Sequence, residues 1–361
     1  MDNSTKFEPE QVEIRIFGQS GDEHSVSVDI LTGILQGLQR AVYAIAKDEE
    51  QAHLTSSNLP KEFKQRYLIR CKIPQSGSYA LPIEFGVDDQ RFPVCSTCEF
   101  VNSVGDKLQA CFRALSEETP AVFNTIKTPL LRKQVLNAFR SILPKAGAKW
   151  QLGISGSRFS QELQYTGKAG KVLKRFVDHH FSQENVTLQT VTGYLVAMDF
   201  DKRLIVLKYP STETELECYY NDELEVELFE NRRELLQVTG NVTYCENDRE
   251  TPKKIAAVDD IQFLDLSDFT LDSFVAHGKE LNFHESLVLT PGLTESCQFM
   301  TLRDEKLGID VIAQTREELY EELLGELQML WTTCAMQDDD KLGEEFLEQK
   351  KHLLAAIKEV Q

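Results

Sequence analysis

QVEIRIFG alternates apolar and polar residues from Val12 to Phe17, the two-residue period of a strand with one buried face. After the turn-like GQSGDEH the period lengthens. Ile30, Leu31, Ile34, Leu35, Leu38, Ala41, Val42 and Ile45 share one face of a helix. The polar run KDEEQAHLTSSNLPKE then reads as a connector. RYLIRCKI and SYALPIEFG flank PQSG as a hairpin, and Pro82 in the second arm predicts an edge strand. From Glu99 the helical period returns, with Phe100, Val104, Leu108, Cys111, Phe112 and Leu115 together. Thr119 is read as a cap before Pro120, and Pro129 and Pro144 interrupt or end the next helical segment. KWQLGIS reads as a strand and TGKAGKVLKRFVDHHF as a glycine-led helix.

Downstream the pattern turns to β. TVTGYLVAMDFD and KRLIVLKYP make a hairpin around Asp199–Lys202, and TELECYYN makes a third strand. DELEVELFENRRE reads as a short helix capped by Asp222, and LLQVTGNVTYCEND and IAAVDDIQFLD supply two more strands. Three strands, a helix and two strands follow the order of a five-stranded OB-type barrel. Gly193 and Gly240 are expected where its strands bend. Near the C-terminus, CQFMTLRDEKLGIDVIAQT folds as a hairpin around Asp304–Leu307. Thr315 and Glu318 then open a helix with the stripe Leu319, Leu323, Leu327 and Leu330. A last amphipathic helix is expected to turn Leu342, Phe346, Leu353, Leu354 and Ile357 inward.

The fold class expected is α+β and multidomain. Residues 1–185 form a β-α-β-β unit with a basic helical part. Residues 186–266 form the OB-like barrel, and 267–361 a β-hairpin with two helices. A chain of 361 residues exceeds what one core usually fills. Its polar, acidic start reads as no leader peptide, and no apolar run reaches membrane length, so a cytoplasmic chain with no membrane is expected.

Charge sharpens this layout. The net value is −19, yet residues 101–185 hold 13 Lys and Arg against 6 Asp and Glu. Residues 186–266 hold 8 against 17, and 267–361 hold 8 against 20. A cationic block inside an anionic chain points to partners of opposite sign. Arg132, Lys133, Arg140, Lys145, Lys149, Arg158, Lys168, Lys171, Lys174 and Arg175 are the candidate contacts for an anion or nucleic acid. GISGSRF and TGKAGKVLKRF would place backbone N–H groups near those lysines. Glu317, Glu318, Glu321, Glu322 and Glu326 are the candidate contacts for a basic protein partner. The barrel carries Tyr194, Phe200, Tyr209, Tyr219, Tyr220 and Tyr244, but its negative charge opposes a phosphate backbone and favours protein docking.

No catalytic constellation is recognised. TGKAGK departs from a Walker A loop, with Tyr165 at its first glycine position and Val172 at its Ser/Thr position. His179 and His180 are adjacent and point to different helix faces, and His284 and Glu285 lack a partner motif. Asp338–Asp340 are explained by capping. PVCSTCEF is the one C-x-x-C; most of the eight cysteines are expected to be free thiols, with no metal and no cofactor.

Two resemblances add context. VTGYLVAMDFDKRLIVLKYP…LECYYNDEL…LLQVTGNVTY resembles a small OB-like β module of uncharacterised bacterial proteins encoded near toxin–antitoxin genes. LGIDVIAQTREELYEELLGELQML resembles the strand-then-helix end of HicB-type antitoxins, with Thr315, Arg316, Glu317 and Glu318 in the matching run. They imply a non-catalytic, antitoxin-like or defence-associated protein that engages a basic protein. The alternative is a nucleic-acid-binding protein that uses residues 132–175.

Overall fold

The computed structural model describes residues 10–18, 26–51, 59–72, 80–85, 94–156, 159, 161–181, 188–220, 228, 235–245 and 248–359. The chain is mixed α+β and divides into two compact units, Met1–Ser182 and Gln183–Gln361.

The first unit is built on an antiparallel sheet ordered β2-β3-β1-β4-β5. Its strands are β1 (Glu10–Phe17), β2 (Ile69–Cys71), β3 (Ala80–Phe85), β4 (Gln151–Gly156) and β5 (Leu163–Tyr165). The alternation in β1 does what it predicts: Val12, Ile14 and Ile16 are buried beside Leu81, Ile83, Leu152 and Ile154. That layer meets α1 (Val28–Glu49), α3 (Val94–Ser116) and α4 (Pro129–Ile142), with a short α2 (Lys61–Arg66) and α5 (Ala169–Phe181) completing the unit. Each aliphatic side chain removed from water here contributes about 1.5–3 kcal/mol.

Several expectations change. Pro82 is not on an edge, because β3 lies between β2 and β1. Its carbonyl accepts from the Lys72 amide at 2.9 Å, just past Cys71, where the β2 ladder ends. The donor that proline lacks would point the same way, so it is lost where the ladder stops. Thr119 makes no side-chain cap, and Pro120–Thr125 is a separate 3-10 turn. Pro129 opens a new helix, α4.

The polar connector begins with a junction. At the end of α1, Asp48, Glu49 and Glu50 reach toward three other helices, with Lys107 of α3 shared between Asp48 and Glu49. The Asp48 carboxylate accepts from the backbone N–H of Lys127 at 3.0 Å and Thr128 at 2.9 Å, so it caps α4 from outside. Glu49 pairs with Lys107 and accepts from the Ser103 hydroxyl at 2.6 Å, both on α3. Glu50 accepts from Arg66 on α2 and, at 2.7 Å, from the Tyr67 hydroxyl. Burial alone would raise the Asp48 and Glu49 carboxyls. The donors from Thr128, Lys127, Ser103 and Lys107 outweigh it and hold both below their ordinary values.

In the second unit, β6 (Gln189–Asp199), β7 (Leu204–Lys208), β8 (Glu215–Tyr219), β9 (Leu235–Cys245) and β10 (Asp248–Phe263) close a barrel in the order β10-β8-β7-β6-β9. The pairing of β10 with β8 is parallel and the others are antiparallel. This arrangement is compatible with an OB-like module. Gly193 sits where β6 changes partner from β9 to β7. A Cβ at Gly240 would lie 2.3 Å from the Ala257 carbonyl oxygen, beside the bulged part of β10. Both glycines allow close backbone approach at the bends. The helix expected over 222–234 lies outside the described residues except for Leu228, which is helical and buried.

The remainder of this unit has its own hydrophobic cluster. β11 (Phe269–Ala276) and β12 (Lys279–Leu289) form a hairpin joined by β16 (Ile357–Glu359). β13 (Gly292–Leu293), β14 (Met300–Asp304) and β15 (Ile309–Ala313) form a second sheet, with α6 (Arg316–Leu330) and α7 (Glu344–Ala356). The α6 stripe of Leu319, Leu323, Leu327 and Leu330 is buried. Thr315 caps α6 by accepting from the Glu318 amide at 3.3 Å. The last segment differs from its expectation: Ile357 is buried in a strand, whereas Phe346 and Leu354 are exposed.

The barrel also meets the β14–β15 hairpin through glutamine side chains. Gln298 accepts from the Thr192 amide at 2.9 Å and donates to its carbonyl at 2.8 Å. Gln314 donates to the Thr190 carbonyl at 2.7 Å. Two amide side chains thus satisfy the part of β6 that has β9 on one side and not yet β7 on the other.

Candidate functional site

Two surfaces carry the charges singled out by the sequence. In the first unit the nine described basic candidates are dispersed. Arg132 turns back along α4 and donates to the Ile126 carbonyl, at 3.2 Å from Nε and 2.9 Å from Nη2. Lys133 and Arg140 are half-buried on the same helix. Lys145 and Lys149 are exposed in the following loop, and Arg158 lies outside the described residues. Lys168, Lys171, Lys174 and Arg175 are exposed at the entry and along α5, and Arg175 pairs with Glu118 at 2.7 Å.

Packing brings the loop and the start of α5 together. A Cβ at Gly167 would lie 2.7 Å from the Lys145 carbonyl oxygen, so the turn before α5 rests directly on the 145–147 backbone. Lys145 and Lys168 therefore flank one small surface. The N–H groups expected to face an anion are partly used: Ala169 donates to the Thr166 carbonyl, Lys171 to the Lys168 carbonyl, and Lys168 to the Thr166 hydroxyl. Tyr165 and Val172, which break the Walker A pattern, are core residues, and the Tyr165 hydroxyl donates to the Phe112 carbonyl at 2.6 Å.

The second surface is α6. Its sequence, REELYEELLGELQML, has one base, Arg316, and that base points inward. Arg316 donates to the carbonyls of Asp265, Ser267 and Asp268 and lies 3.9 Å from the centre of the Phe269 ring. Glu317, Glu318, Glu321, Glu322 and Glu326 lie opposite or beside the leucine stripe. Glu321 and Glu322 are exposed, and Glu317, Glu318 and Glu326 half-buried. Burial, and then the charges of Asp310 on β15 and Glu322, push the Glu326 carboxyl up. Carboxylates from two elements are thus crowded along one side of the helix.

The barrel residues are net acidic, and three of their bases are already engaged. Tyr194, Phe200 and Tyr244 are exposed, while Tyr220 belongs to the barrel core. Lys202 pairs with Asp199 at 3.0 Å, Lys208 with Glu213 at 3.4 Å, and Lys254 lies over the Tyr219 ring at 4.7 Å. The aromatics needed for stacking are present, but each of these bases already faces an acid or a ring.

No group of three or more His, Cys, Asp or Glu among the described residues is placed to hold a metal. Cys71, Cys111, Cys218, Cys297 and Cys334 are free thiols, and the side chains of the C-x-x-C pair lie outside the described residues. Burial pushes the Cys111 thiol up to about 12, the opposite of what a reactive cysteine requires. Among the described residues, no helix is long and apolar enough to cross a membrane. No family model, curated protein or solved structure matches the chain.

Proposed function

We propose that this chain is a non-catalytic, cytoplasmic interaction protein that engages a basic protein partner through the acidic face of α6. One observation carries the reading. Five glutamates occupy a helix whose single base is buried, and Glu326 is crowded by Asp310 and Glu322. A cationic partner would relieve that repulsion on docking, giving association that is strong at low salt and lost at high salt. The OB-like barrel is a second docking module, in keeping with its net negative charge. The antitoxin-like role draws its support from the run Thr315–Glu318 and the strand before it. Fluorescence anisotropy of a labelled lysine–glycine peptide tests the reading. Binding at ~0.05 M salt, lost at ~0.5 M and in Glu321→Gln/Glu322→Gln/Glu326→Gln, is expected. An unmodified protein that never binds this peptide overturns it.

A second reading is favoured by the seat of Gly167 on the 145–147 backbone, which places Lys145 and Lys168 at the start of the exposed α5 row. Contact with a nucleic-acid backbone there predicts a gel shift of single-stranded DNA. Lys171→Glu/Lys174→Glu should abolish that shift, and no shift with the unmodified protein dismisses this reading.

A further inference from the structure

We infer that the basic partner of α6 is held as an extended strand, added to the open edge of β15 beside that helix. This rests on the basic-partner reading of α6 and specifies how the partner is gripped. β15 (Ile309–Ala313) ends the sheet ordered β13-β14-β15 and pairs with β14 alone. Every second residue of an antiparallel edge strand turns its N–H and C=O away from its neighbour. Among the described residues, nothing bonds to that outer side of the Ile309–Ala313 backbone. The next carbonyl, that of Gln314, accepts from the Gln237 side chain, so the open stretch stops there.

The other described edges are poorer templates. β2, β5, β13 and β16 have three residues or fewer, and β11 is broken by the bulge between Leu271 and Ser273. Edge strands are blunted by lysine, proline or a bulge, and β15 carries none of these. Its Ile309, Val311 and Ala313 are buried on the side where α6 packs, and Ile312 is 53% exposed on the other. Glu322 and Glu326 stand one turn apart on α6, and the charge of Asp310 acts on Glu326, so that flank of the helix lies within reach of β15. Side chains of an added strand alternate between its two faces. One set would lie beside Ile312 and the other toward Glu322 and Glu326, so the occupant is a segment that alternates apolar and basic residues. Asp310 is paired with Arg303 at 2.9 Å in an exposed position and adds little.

Fluorescence anisotropy of the full chain at ~0.05 M salt tests this with a labelled peptide that alternates lysine and valine. Two analogues, N-methylated at the lysines or at the valines, carry the same charge. Only the amides that face β15 are needed, so one analogue should bind about tenfold more weakly and the other should match the parent. Hydrogen exchange over residues 309–313 should slow when the parent peptide is bound. Equal binding of the two analogues, or exchange over 309–313 that the bound peptide leaves unchanged, overturns strand addition. So does a parent peptide that fails to bind where the lysine–glycine peptide binds, and in that case the basic-partner reading still stands. A chain that binds none of these peptides overturns both.

Discussion

Asp48–Glu49–Glu50 and the glutamates of α6 are both runs of acids on helices, and they end in opposite conditions. The first run lies where three other helical segments arrive, and its carboxylates accept from Thr128, Lys127, Ser103, Arg66 and Tyr67 and pair with Lys107. In the second, Glu326 is partly buried and faces two further acids, Asp310 and Glu322. The same chemical group is lowered in pKa in one place and raised in the other. The difference lies in what accompanies burial in each run: hydrogen-bond donors and a lysine that outweigh it in the first, and further carboxylates that add to it in the second.

The sharpest way to break the contrast is Asp48→Ala. It strips two backbone amides at the start of α4 of their acceptor inside a nearly buried site, and a loss of about 3 kcal/mol is expected in denaturant unfolding followed through Trp150. Glu50→Gln, which keeps the shape but removes the charge facing Arg66, should cost the first unit about 1–2 kcal/mol by the same measurement. A result near zero for Asp48→Ala would mean that α4 needs no cap from α1.

Acid separates the two runs without mutation. Asp48 and Glu49 have lowered folded pKa values, so their stabilisation is complete above the ordinary carboxylate range near ~4 and is lost as pH falls through the lowered values. Glu326 has a raised value, so acidification through it removes a repulsion and the second unit gains slightly. Trp150 lies in the first unit and Trp331 in the second, so Trp150→Phe leaves the signal to the second unit alone. Thermal melts against pH should show the first unit weakening first. The smallest effect is that of Glu321→Gln/Glu322→Gln/Glu326→Gln, expected to stabilise the second unit by only about 0.5 kcal/mol at neutral pH. Destabilisation by these changes would mean that the acidic row is held by partners within the fold.

The contrast also explains what could be read in the sequence. Both runs are visible as strings of Asp and Glu, and the α6 face follows from its own period because Leu319, Leu323, Leu327 and Leu330 fix which side is inward. The role of Asp48–Glu50 is not local: Thr128 lies 80 residues away and Lys107 on another helix, so the same letters read as a connector. Alternation carried β1, β7 and β15, where inward and outward residues change at every step. It failed for β11, where a bulge between Leu271 and Ser273 breaks the two-residue period. The turn that joins β11 to β12 did leave a mark: His277 and Gly278 both have positive φ, at 52° and 73°, the preference of a two-residue hairpin turn. Pro82 misled because its cost depends on which neighbour its missing donor would face, and only strand order reveals that. The final strand, Ile357–Glu359, is too short for any periodic signal.

Gln298 holds Thr192 by both its amide and its carbonyl, as the peptide group of a neighbouring strand would. With Gln314 at Thr190, the barrel is therefore insulated from foreign strands at Thr192 by one removable side chain rather than by a continuous backbone. Shortening that side chain would leave a template on which other chains can add, and such a protein should lose monodispersity on storage well before it loses its fold.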